Sequence, residues 1–96
     1  MFESEKIRSF SLTAQSLITD LHSANPNDEI FDQIGILDGH ATVTNFLDHN
    51  EFGLALEHVL YMIYESNIAF PDNELKALHF MADQIGIYTS YQESDR

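Results

Sequence analysis

The chain of 96 residues has no cysteine, no tryptophan, two prolines, four glycines and only four basic residues. Without cysteine, disulfides, thiolate metal sites and cysteine nucleophiles are excluded. No Pro/Gly/Ser-rich linker, internal repeat or low-complexity block interrupts the chain, so a single domain is expected. Long hydrophobic runs are missing as well. The longest stretch free of Asp, Glu, Lys and Arg is eleven residues, Ser9 to Thr19, against the ~20 that cross a bilayer. Glu3, Glu5, Lys6 and Arg8 occupy the N-terminus, where a signal peptide would be apolar, so a cytoplasmic location is expected.

The shortage of positive charge excludes most. Lys6, Arg8, Lys76 and Arg96 cannot neutralise a nucleic-acid backbone, and an anionic membrane would repel the chain. Sixteen Asp and Glu bring the formal charge to −12, and between Ser9 and Leu75 eleven acids stand without one Lys or Arg. Such a field works against the compact state, so it calls for a use, of which a basic partner is the simplest.

What is present is an apolar fraction of 44 %, enough for a core. Its spacing is helical nearly throughout. Ile7, Phe10, Ala14, Leu17, Ile18 and Leu21 predict one helix over roughly Glu5 to His22. Asn25 and Pro26 are placed to cap and open a second, with Ile30, Phe31, Ile34 and Leu37 as its stripe. A short third piece carries Val43, Phe46 and Leu47 and stops near Asn50, a residue suited to a left-handed end or a cap. Phe52, Ala55, Leu56, Val59, Leu60 and Ile63, widened by Leu54, Met62 and Tyr64, mark a fourth, central helix. After the connector Ile68–Pro71, a last helix carries Leu75, Leu78, Ala82 and Ile85 and stops at Gly86. The expected fold is all-α, a small single-domain bundle of four to five short helices over residues 1–88, with a loose tail over 89–96.

Enzyme templates fail on inventory: there is no Gly-rich phosphate loop, His-Glu-x-x-His pair or Gly-x-Ser-x-Gly elbow, and no serine has an evident base. Asp38-Gly39-His40 lacks the serine of an acyl carrier site, and no window from Asn25 to Asp38 gives the oxygen-ligand order of a calcium loop. Asp48, His49, Glu51, Glu57 and His58 are potential metal ligands, but no two histidines share a helical face, and they read as a hydrated polar surface. No catalytic residue, cofactor or metal is expected.

Contact chemistry is better supplied. Glu57, Tyr61, Tyr64 and Glu65 fall at steps of four, three and one on the central helix, away from its main stripe. Phenol rings give rigid contact area with a polar end, and the carboxylates beside them suit Lys or Arg on a partner. The same four residues equally suit a solvated rim of the core. Asp28, Glu29 and Asp32 form a second acidic group, and Asp48 and Glu51 a third, at the start of the central helix.

The stretch Phe46-Leu47-Asp48-His49-Asn50-Glu51-Phe52-Gly53-Leu54-Ala55-Leu56-Glu57, followed by Tyr64-Glu65-Ser66-Asn67-Ile68, resembles MafI-type immunity proteins of bacterial polymorphic toxin systems. These overlap with the immunity proteins of contact-dependent growth inhibition. The shared pattern is a Glu-aromatic-Gly-x-Ala-Leu-Glu helix start, here Glu51, Phe52, Gly53, Ala55, Leu56 and Glu57, with Ile68 in the connector. Where a Gly commonly precedes that Glu, this chain has Asn50, which tolerates the same backbone conformation. The resemblance covers residues 40 to 86 and implies a fold and a class of function, without contact residues. It implies a non-enzymatic inhibitor that occludes a toxin domain with a basic surface, typically a nuclease. The alternative is an acidic helical adaptor or regulator of some other protein. A third reading, an enzyme built on Asp48, Glu51 and Glu57, has only the carboxylates to support it.

Overall fold

Four α-helices account for most of the chain in the computed structural model, which describes residues 4–86 and Tyr91; no strand occurs among them. Helix α1 runs Ser4–Ala24, α2 Gly39–Asp48, α3 Phe52–Ser66 and α4 Asp72–Ile85. The helical stripes foreseen for these segments are the ones that pack. Ile7, Phe10, Ala14 and Ile18 of α1 meet Val43 and Leu47 of α2, and Leu75 and Leu78 of α4, in one cluster. At its centre lies α3, which touches every other element. Ala55, Leu56, Val59, Leu60, Met62 and Ile63 are each at most 1 % exposed, which fits a helix apolar around most of its circumference. Met62 is thus core, while Leu54, on the same helix, is 45 % exposed.

The corner between α2 and α3 follows from Asn50. Its φ of 59° is left-handed. That conformation lets the Asn50 N–H reach the Leu47 carbonyl at 3.1 Å and the Glu51 N–H the Phe46 carbonyl at 2.8 Å. This paired closure satisfies carbonyls that a helix end otherwise leaves open, and the next helix begins at once. Asn67 (φ 55°) and Gly86 (φ 81°) end α3 and α4 in the same left-handed region.

The expected second helix does not form. Between Asn25 and Asp38 there is one 3-10 turn, Glu29–Asp32, followed by irregular turns. Asp28, not Asn25, is its cap, accepting the Ile30 N–H at 3.0 Å. Gly35 has φ +84° and cannot continue a right-handed helix. The supposed stripe is broken accordingly: Phe31 is buried, yet Ile34 is 93 % and Leu37 40 % exposed, while Ile36, off the stripe, is fully buried. Periodicity misled here because four apolar residues at helical spacing also fit a folded-over turn. Asp28, Glu29 and Asp32 therefore sit on this turn, and not along a helix.

Of the tail expected over 89–96, only Tyr91 is among the described residues, and it lies against α3. The sequence also allows Ile87 and Tyr88 to pack back onto the bundle; both fall outside the described residues.

Candidate partner-binding face

Side chains from α1 and α3 hold the 25–38 segment in place. From α1, Gln15 donates its amide to the Leu37 carbonyl at 2.8 Å and accepts the His40 N–H at 3.0 Å. From α3, the His58 Nε2–H donates to the Gly35 carbonyl at 3.0 Å, and the Tyr61 hydroxyl proton is shared between the Ile34 carbonyl (2.9 Å) and Gln33 Oε1 (3.2 Å). Carbonyls that a helix would have paired internally are thus paired by tertiary contacts. Nothing local in the sequence signals these partners, since Gln15 and Leu37 are 22 residues apart and Tyr61 and Ile34 are 27 apart.

Gly35 is the tightest point of this clamp. A Cβ there would stand 2.6 Å from His58 Cε1, on a backbone that L-residues enter at a cost of roughly 1–2 kcal/mol. Gly35→Ala is expected to destabilise the fold by about 1–3 kcal/mol. The denaturation midpoint should fall at constant slope, and Tyr61 ring resonances should move as its anchor loosens. An unchanged midpoint would mean that the segment is not held by α3.

The same clamp positions the candidate face. Along α3, Glu57, Tyr61 and Glu65 follow one another at four-residue steps, and Tyr91 returns beside them. The rings of Tyr91 and Tyr64 stack at 5.2 Å with an interplanar angle of 8°, and the Tyr91 hydroxyl donates to Glu65 Oε2 at 3.1 Å. Tyr64 is turned toward α4, where its hydroxyl and His79 Nε2 share a 2.8 Å hydrogen bond. It thus supports the face from behind. A groove of about 300 Å³ opens among Phe46, Leu54, Glu57, His58, Tyr61 and Tyr91. Three of its rings run in sequence: Phe46 meets His58 at 6.4 Å and His58 meets Tyr61 at 5.2 Å.

The other acidic candidates are not among the residues that line this groove. Asp32 adjoins Gln33, whose side chain reaches the Tyr61 hydroxyl, and Asp28 and Glu29 lie on the same exposed turn. Asp48 and Glu51 are exposed at the α2–α3 corner, three residues before Leu54 in the case of Glu51. Among the described residues, no Lys or Arg is paired with Glu57 or Glu65.

Both phenols are held neutral. Burial raises Tyr61 above its ordinary value, and the nearby Glu65 carboxylate adds to the rise. Tyr91 is pushed up to about 12, first by burial, then by its bond to Glu65 and by the charges around it, including Glu57. The negative charge of the face is therefore carried by the carboxylates. A raised phenol pKa means that Tyr91 docking contributes fully below pH 10, and that this contribution is lost as pH climbs through about 12. In a near-UV tyrosinate titration, Tyr91→Phe should remove one phenol's amplitude near pH 12. If the amplitude there is unchanged, Tyr91 does not stand where the acids can act on it.

The fold also joins residues that the sequence left apart. Ser11, fully buried, stands 2.6 Å from His40 Nδ1 and donates to the Arg8 carbonyl at 2.8 Å. With the hydroxyl proton held by that carbonyl, His40 Nδ1–H donates to Ser11, and the pair fastens α1 to α2. His49 is spent on the Asn45 carbonyl at 2.8 Å and His58 on Gly35. The potential ligands Asp48, His49, Glu51, Glu57 and His58 do not converge, and no group of three or more such side chains does among the described residues. Sequence reasoning missed Tyr91 and Phe46 as parts of the face. A lone aromatic in a polar tail was the one available sign of the first.

No protein-family model, curated protein or solved structure matches the chain. No helix of the described residues is long and apolar enough to cross a membrane.

Proposed function

We propose that the chain is an immunity protein that binds a cognate bacterial toxin domain, a basic nuclease, and bars its substrate by covering it with an acidic face. The observation that carries this reading is the grouping beside a groove of Glu57, Tyr61 and Glu65, from a stretch of chain without a Lys or Arg, with Tyr91. Spread evenly over 5687 Å², −12 places fewer than two charges on the ~800 Å² of a standard interface. Glu57 and Glu65 alone reach that density. An acidic face of this kind competes with nucleic acid for a basic cleft and speeds encounter through its field. The likeness of Glu51–Glu57 and Ile68 to MafI-type proteins points the same way. The corner it covers has the left-handed Asn50 in the place where a Gly is common.

Co-expression with the toxin domain encoded beside this gene tests the proposal. Cells carrying both should grow, and cells carrying the toxin alone should die. Death despite folded, soluble immunity protein would contradict the reading. The alternative, an acidic adaptor of a different protein, would leave the toxin's effect untouched.

A further inference from the structure

The groove lined by Phe46, Leu54, Glu57, His58, Tyr61 and Tyr91 has a chemistry of its own. Its hydrogen-bond donors are already engaged. The Tyr61 proton goes to the Ile34 carbonyl, the Tyr91 proton to Glu65 and the His58 Nε2 proton to Gly35. An anion or a neutral acceptor therefore finds no donor from these three groups. What they present instead is ring surface, with the exposed carboxylate of Glu57 beside it and Glu65 one turn from Tyr61. Aromatic faces next to an acid attract a cation, and more strongly where water is partly excluded. Between the two basic side chains, the guanidinium is planar, weakly hydrated and able to stack while it donates to a carboxylate, whereas an ammonium is a compact, strongly hydrated point. About 300 Å³ also has room for the flat end of one side chain together with its stem.

We infer that this groove takes a single arginine side chain of the partner, its guanidinium laid against the rings of Tyr61 and Tyr91 and paired with Glu57. The inference deepens the reading of this face as the partner surface and rests on it, but it can be tested without any toxin.

The probe is the capped tripeptide Gly-Arg-Gly, titrated into isotopically labelled full-length protein at low salt and followed by NMR. Saturable shifts should appear at the Leu54 methyls and the Tyr61 and His58 rings, with a dissociation constant on the order of 1–10 mM, the range of one weak contact. The citrulline peptide, equal in shape but neutral, should bind at least about fivefold more weakly, as should the arginine peptide to Glu57→Gln. Glu57 is exposed, so that variant leaves the core intact. A lysine peptide should also bind more weakly than arginine. Equal binding of citrulline, equal binding of lysine, indifference to Glu57→Gln, or shifts centred elsewhere would each overturn the assignment. The two readings fail separately. Peptide binding without protection in co-expression leaves the arginine site and removes the toxin, while protection without peptide binding removes the arginine site alone.

Discussion

Phe70→Ala is expected to lower the free energy of unfolding by about 3–5 kcal/mol, the range for truncating a buried phenylalanine. Phe70 lies in the connector between α3 and α4 and is 2 % exposed. Its ring stands edge-on to Phe10 of α1, with centroids 6.5 Å apart and planes at 64°. Removing it therefore leaves a cavity that two elements must share. A domain of this size has roughly 5–15 kcal/mol in all, so the melting midpoint should drop by more than about 10 °C. Phe80→Ala is the control: Phe80 is 65 % exposed on α4, and its loss should stay within about 0.5 kcal/mol. Equal effects of the two substitutions in thermal or denaturant unfolding would refute the assignment of Phe70 to the core.

Glu57→Lys together with Glu65→Lys should weaken binding to the toxin domain by about 100-fold or more. Each reversal removes an attraction and adds a repulsion to a basic partner, and like charges brought together across an interface cost several kcal/mol. A loss of about 3 kcal/mol corresponds to a little over two orders of magnitude. The fold should hold, because Glu57 is exposed and Glu65 half-buried at the surface of α3. Circular dichroism should show unchanged helicity, and calorimetry should show the loss of affinity. Affinity equal to that of the unaltered protein would move the interface off α3, with the Asp28–Asp32 turn as the next surface to alter.

The contrast between Phe70 and Ile34 shows what could be read along the chain and what could not. The helical stripes of α1, α2, α3 and α4 were legible because each buries one face against a common core, so spacing alone gives the inward side. The glycine and asparagine stops were legible too, since Asn50 and Gly86 take up the left-handed conformations that those residue types favour. Between Asn25 and Asp38 apolar spacing does not report the backbone's course. There the backbone is organised by Gln15, His58 and Tyr61, and partners 22 to 27 residues away leave no local pattern. Phe70 reads as connector in the sequence because it belongs to no helix, yet it is one of the largest fully buried side chains. On the candidate face, Glu57, Tyr61 and Glu65 could be grouped by helical spacing. Tyr91, the fourth ring at the groove, could not, because it stands 26 residues from Glu65 and shares no helical spacing with α3.

Binding between the purified chain and the purified toxin domain, followed by calorimetry from low to high salt, bears most directly on the proposed role. Steered association of an acidic inhibitor with a basic nuclease should give a saturable one-to-one isotherm at low salt. The affinity should then fall by orders of magnitude as the screening length shrinks from about 30 Å at 0.01 M to about 3 Å at 1 M. No binding at micromolar concentrations, or an affinity indifferent to salt, would contradict it.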